Sequence, residues 1–142
     1  MPPPNVAIAD ALRGKECRVA KREYDWIFVF GDRLSITVSV PWRIVTDNRI
    51  SHGDTDDGQW FGLSAPVDGE GRTNELLHGR RVARVEIDEQ TADLRIVFAD
   101  DSRIDVFNSS SGYEGWQVTV PSEGQEITVI ALGGGGLTTC SA

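Results

Sequence analysis

The 142-residue chain, 39% hydrophobic and 25% charged, has the composition of one folded domain spanning 1–142, large enough to bury roughly two-thirds of its unfolded surface without staples. Its net charge of -8 and pI near 4.7 repel phosphate backbones on average, which argues against nucleic acid as a partner and leaves a basic protein open. Two cysteines, Cys17 and Cys140, are read as free thiols of a reducing compartment. The first residues lack a basic region followed by a long apolar one, so no signal peptide, no membrane contact and a cytoplasmic location are expected.

In chain order, Pro2 to Pro4 read as an extended lead-in, and Val6-Ala7-Ile8-Ala9-Asp10-Ala11-Leu12 as a short helix or a first strand. Gly14 punctuates, and Cys17 to Arg22 reads as a strand. Tyr24, Trp26, Phe28 and Phe30 fall on one face of the next strand, Ile27 and Val29 on the other, which suits a strand with neighbours on both sides. Gly31-Asp32 supplies a turn into the alternating run Leu34 to Val40, and Trp42-Arg43-Ile44-Val45 continues past the bend at Pro41. Residues 46–72 read as a long acidic loop, with Gln59-Trp60-Phe61-Gly62-Leu63 as an island anchoring it to the body. A single helical turn is expected over 73–79.

Three further strands follow, Val82 to Ile87, Leu94 to Phe98 and Arg103 to Phe107, joined by Glu89-Gln90-Thr91 and Asp100-Asp101-Ser102. A C-terminal hairpin over 113–132 is expected to turn at Pro121-Ser122-Glu123-Gly124. The glycines Gly133 to Gly136 are either flexible or a close backbone approach. The fold class is therefore mainly β: two antiparallel meanders packed as a sandwich or partly open barrel, with one or two short helical turns. Leu12-Arg13-Gly14 recurs as Leu77-His78-Gly79, and the strand ending at Phe30 recurs in the one ending at Phe98. Halves 12–45 and 77–107 thus suggest an internal duplication in which the Pro41-Trp42 bend matches the segment ending at Trp116.

The layout of Leu77-His78-Gly79, the strands that follow it, Tyr113-Glu114-Gly115-Trp116 and the glycine-rich end resembles a family of small, mainly actinobacterial proteins, a domain of unknown function. In that family a Tyr-Glu-x-Trp segment precedes the last hairpin and a Gly-Gly element closes the domain. The resemblance implies a mostly β fold and no established activity, and it assigns no catalytic residue.

No residue pattern supports catalysis or a cofactor. Ser109, Ser110 and Ser111 with His52 or His78 and Asp54 or Asp57 are the ingredients of a nucleophilic site, but no nucleophile elbow surrounds any serine. Asp54-Thr55-Asp56-Asp57-Gly58 misses the glycine and closing glutamate of a calcium loop, and the two His and two Cys have no zinc spacing, so no metal is expected. Gly133 to Gly136 lacks the Lys-Ser/Thr of a phosphate loop. What remains is recognition. Trp42, Trp60, Tyr113, Glu114 and Trp116 are the candidate interface residues, aromatics beside acids being common interface anchors. The expectation is a non-enzymatic protein-binding domain, immunity-like or an adaptor, that meets a basic protein or its own copy. The alternative is a small-molecule-binding or hydrolytic barrel whose mouth is lined by the same four aromatics.

Overall fold

The structure, a computed structural model, describes residues 2–141. Helix α1 (Pro4–Leu12) starts with proline in its first turn, where the missing N–H costs nothing, and buries Ala7, Ile8 and Leu12. Strands β1 (Cys17–Lys21), β2 (Trp26–Phe30) and β3 (Leu34–Val38) form an antiparallel meander. The chain then crosses at Pro41 into a second sheet as β4 (Trp42–Thr46), which turns into β5 (Arg49–Gly53). After helix α2 (Gly69–Leu77), β6 (Val82–Ile87), β7 (Leu94–Phe98) and β8 (Arg103–Val106) form another meander. The chain crosses back as β9 (Trp116–Ser122), followed by β10 (Gln125–Ala131) and β11 (Leu137–Ser141). The six-stranded sheet runs β1-β2-β3-β9-β10-β11 and the five-stranded sheet β5-β4-β8-β7-β6. The two form the mainly β sandwich expected, not a closed barrel.

Each half therefore follows the same order, a helix, a three-stranded meander, then strands delivered to the sheet of the other half; the first half delivers the pair β4-β5 and the second delivers β9-β10 with β11 added. The crossings match atom for atom, with Ser39 N donating to Gly115 O at 2.8 Å and Phe107 N donating to Pro41 O at 2.9 Å. The corners after the two helices match as well. Leu12 and Leu77 are fully buried, and Gly14 and Gly79 adopt φ of 78° and 77°, a conformation that favours glycine.

Alternation fills the space between the sheets with Phe28, Phe30, Ile36, Trp42, Ile44, Ile96, Phe98, Ile104, Trp116 and Val118 among others. Each large side chain so buried contributes about 1.5–3 kcal/mol. The outer edge of β1 is covered by α2: Asn74 Oδ1 accepts from Val19 N at 2.7 Å, Asn74 Nδ2 donates to Val19 O at 3.1 Å, and Glu70 Oε1 accepts from Lys21 N at 2.9 Å. Two side chains thus stand in for a missing strand.

Several expectations are corrected. Residues 46–72 are not one loop: Asp47 and Asn48 both take positive φ (52° and 63°) and make the two-residue turn from β4 to β5. The helical turn of 73–79 is only the end of nine-residue α2, whose Asp68 cap accepts from Gly71 N at 3.1 Å. β9 runs through Pro121 to Ser122, and Glu123-Gly124 alone makes the turn. Pro121 is tolerated because β3 pairs with β9 only as far as Val118. The glycines are a close approach, since a Cβ on Gly135 would collide with the Gln90 carbonyl oxygen, and β11 follows them.

Candidate functional site

The five candidate residues divide between interior and surface. Trp42, first residue of β4, is 1% exposed and packs edge-on against Trp26 (5.0 Å between ring centres) and Phe28 (5.2 Å). Trp116, first residue of β9, is buried in the matching place of the other half, its Nε1 donating to Ala92 O at 2.9 Å. Both therefore serve the core within this chain. Tyr113 and Glu114 are exposed on the loop before β9, and Trp60 is exposed on a different loop. The four aromatics consequently line no common mouth.

Ser110 explains its own presence in the Tyr113 loop: its Oγ accepts from Gly112 N (3.1 Å) and Tyr113 N (2.9 Å). Neither Ser109, Ser110 nor Ser111 is hydrogen-bonded to a histidine among the described residues. His78 is exposed. His52 is fully buried with both ring nitrogens unpaired, its ring centre 5.8 Å from that of Trp42 and its Nδ1 3.9 Å from Asp56 Oδ2. Burial holds His52 below the usual histidine range, with the Asp56 charge opposing it in part. Among the described residues no group of three or more His, Cys, Asp or Glu is arranged to hold a metal ion.

The segment expected to anchor residues 46–72 does the reverse. Gly58 N donates to Val67 O and Val67 N to Gln59 O, both at 2.8 Å, which closes 58–67 into a small hairpin anchored by buried Val67. At its tip Leu63 N donates to Trp60 O at 2.7 Å, and Phe61 and Gly62 take φ of 45° and 74°. The turn displays Trp60, Phe61 and Leu63, which are 57%, 64% and 54% exposed. Its base is pinned by Asp57, which accepts from Gly69 N at 2.8 Å and pairs with Lys21 Nζ. The Lys21 hydrogen bond holds the Asp57 carboxyl below its usual range, while burial holds neighbouring Asp54 above it.

Three apolar side chains on a clamped turn, with Asp54, Asp56 and Asp57 before it and Asp68 and Glu70 after it, form a run of exposed large hydrophobics, whereas Val6, Tyr24, Ile50 and Tyr113 are exposed singly. Trp60 was legible as a candidate. Phe61 and Leu63 were not, because a loop has no period to tell an inward ring from an outward one. Comparison with protein-family models, curated proteins and solved structures gives no match for this chain.

Proposed function

We infer that this chain is a non-enzymatic binding domain that docks onto another protein through the 58–67 turn. The observation that carries the reading is the exposure of Trp60, Phe61 and Leu63 on a backbone hydrogen-bonded into one conformation. An isolated flexible loop would lose entropy on binding, whereas a pinned one presents its anchors already ordered. The acidic residues at the base and the net charge of -8 select a partner with a basic rim around an apolar pocket, and opposite charge speeds that encounter. An immunity-type protein masking a basic enzyme, or an adaptor, fits this chemistry. The matched halves are read as copies of one duplicated unit, and the likeness to the actinobacterial family as kinship; neither supplies an activity.

The test compares immobilised wild-type protein with a Trp60→Ala/Phe61→Gly variant in lysate of the source cells, at low and high salt, followed by mass spectrometry. A basic protein retained by the wild type at low salt, and lost from the variant and at high salt, is the expected result. Equal retention by the variant, or recovery of the chain alone, overturns the reading.

A further inference from the structure

The outer face of the five-stranded sheet carries an arrangement of opposite sign to the rest of the chain. Arg43 on β4, Asp105 on β8 and Arg95 on β7 stand side by side across three strands, and Arg103 lies on the next rung between Val45 and Val97. Asp105 is 3% exposed at the centre. Its two oxygens accept from Nε of Arg43, Arg95 and Arg103, each at 3.0 Å. Burial alone would raise this carboxyl, but the hydrogen bonds from Arg43 and Arg103 and the charges of Arg103 and Arg95 hold it below its usual range. One carboxylate therefore orients three guanidinium groups while neutralising only one of them.

All three arginines are held by the Nε edge alone. Their six η nitrogens have no hydrogen-bond partner among the described residues, although Arg43 also sits over the Phe107 ring at 5.1 Å. The same face continues to Glu86 opposite Arg95 and to Arg84 opposite Val97, and these two pair with each other at 2.9 Å. Four arginines against Glu86 and Asp105 leave a surplus of two positive charges, on a chain whose net charge is -8. Guanidinium forks with free donors, fixed in position by a buried acid, are what recognition of a tetrahedral oxyanion requires. A dianion matches the surplus.

An adjoining groove of about 350 Å³ shares Arg95, Asp105 and Phe107 with the cluster and is otherwise lined by Glu86, Asp88, Asp93 and apolar side chains. Its acidic wall favours a donor-rich or cationic group beside the anion. We propose that this face binds a phosphate monoester whose organic part carries a positive charge, the phosphoryl group on Arg43, Arg95 and Arg103 and the cation in the groove. The chemistry is shared by a small aminoalkyl phosphate and by a phosphorylated side chain in a basic peptide. The site is separate from the 58–67 turn, and the proposal does not depend on the docking reading.

Calorimetric titration of the full chain with inorganic phosphate, phosphoethanolamine, ethanolamine and a phosphoserine peptide flanked by lysines tests it. Phosphoethanolamine or the peptide is expected to bind at least about tenfold tighter than inorganic phosphate, and ethanolamine not to bind. The tighter of the two identifies the source. Arg43→Gln and Arg103→Gln are each expected to weaken phosphoryl binding about tenfold, and Glu86→Gln to weaken phosphoethanolamine but not inorganic phosphate. Arg95→Lys, which keeps the charge, serves if a glutamine variant fails to fold, and it should weaken binding because it loses the fork. Absence of saturable phosphate binding overturns the proposal, as does binding unchanged in the arginine variants. Phosphoethanolamine and the peptide both binding no better than inorganic phosphate overturns the cationic part.

Discussion

Glu16 and Arg81 face each other as an isolated antiparallel bridge, and each side chain reaches the glycine two residues before the other. Glu16 Oε1 accepts from Gly79 N at 2.8 Å, and Arg81 Nη1 donates to Gly14 O at 2.9 Å. The two helix-ending corners thus clasp each other where the halves meet. A Cβ on Gly14 or Gly79 would meet nothing within 4 Å, so substitution there is opposed only by the positive φ. Gly14→Ala and Gly79→Ala are each expected to cost about 1 kcal/mol, and by similar amounts, in urea unfolding. A large difference between them would refute the equivalence of the corners.

The paired tryptophans give a second comparison. Trp116→Phe removes the bond to Ala92 O and leaves that carbonyl without its partner, whereas Trp42 Nε1 is already buried and unpaired. Trp42→Phe and Trp116→Phe lose the same ring volume. Trp116→Phe should therefore be the more destabilising by about 1 kcal/mol, and the opposite order in denaturant unfolding would contradict the assignment of that bond.

His52 predicts a pH dependence. Its folded-state pKa lies below the ordinary value of 6.5, so below about that pH the unfolded chain binds a proton that the folded chain resists. Stability is then full above pH 6.5 and falls as the pH drops through it towards the lowered folded value. Asp54, raised by burial, acts in the opposite sense at more acid pH. The difference between wild type and His52→Phe isolates the histidine: the variant should lose the slope between pH 7 and 5 and match or exceed wild-type stability at pH 5. Parallel stability curves would show that His52 does not titrate in folding.

The exposed turn can be separated from the fold. Phe61 holds φ at 45° while exposing its ring, so Phe61→Gly relieves strain and removes an anchor at once. Thermal unfolding should change by no more than about 1 kcal/mol in either direction, while partner capture is lost. Loss of folding instead would place Phe61 in the core.

Cys17 is buried, and burial pushes its thiol pKa far above the usual range, whereas Cys140 is exposed on β11. A thiol reagent should therefore modify Cys140 alone in native buffer and both in denaturant. Modification of Cys17 at the rate of Cys140 would mean that β1 opens readily.

What the sequence showed depended on alternation. Trp26 to Phe30 bury every second residue, Leu34 to Val38 bury Ile36 and Val38, and Leu94 to Phe98 bury Leu94, Ile96 and Phe98 with Val97 added, so the meanders and the sandwich were legible. β5 and β11 were not, because β5 buries only His52 and β11 exposes nearly everything after Leu137. The start of α2 was masked by Gly69 and Gly71, which read as loop residues; a Cβ on either would press on Asp57 or Asp68. The arginine cluster joins Arg43 to Asp105 across 62 positions of sequence, beyond any local pattern. The site residues failed to sort for a related reason: a strand-initial tryptophan reads the same whether it seals a core or meets a partner.

The cover that Asn74 and Glu70 place over β1 makes growth of the six-stranded sheet one-ended. Of that sheet's two margins among the described residues, β11, a strand of uncharged and mostly exposed residues, is the one left to meet another chain. Two copies meeting β11 to β11 would each turn a capped margin outward, so growth through this sheet ends at a pair instead of propagating along it.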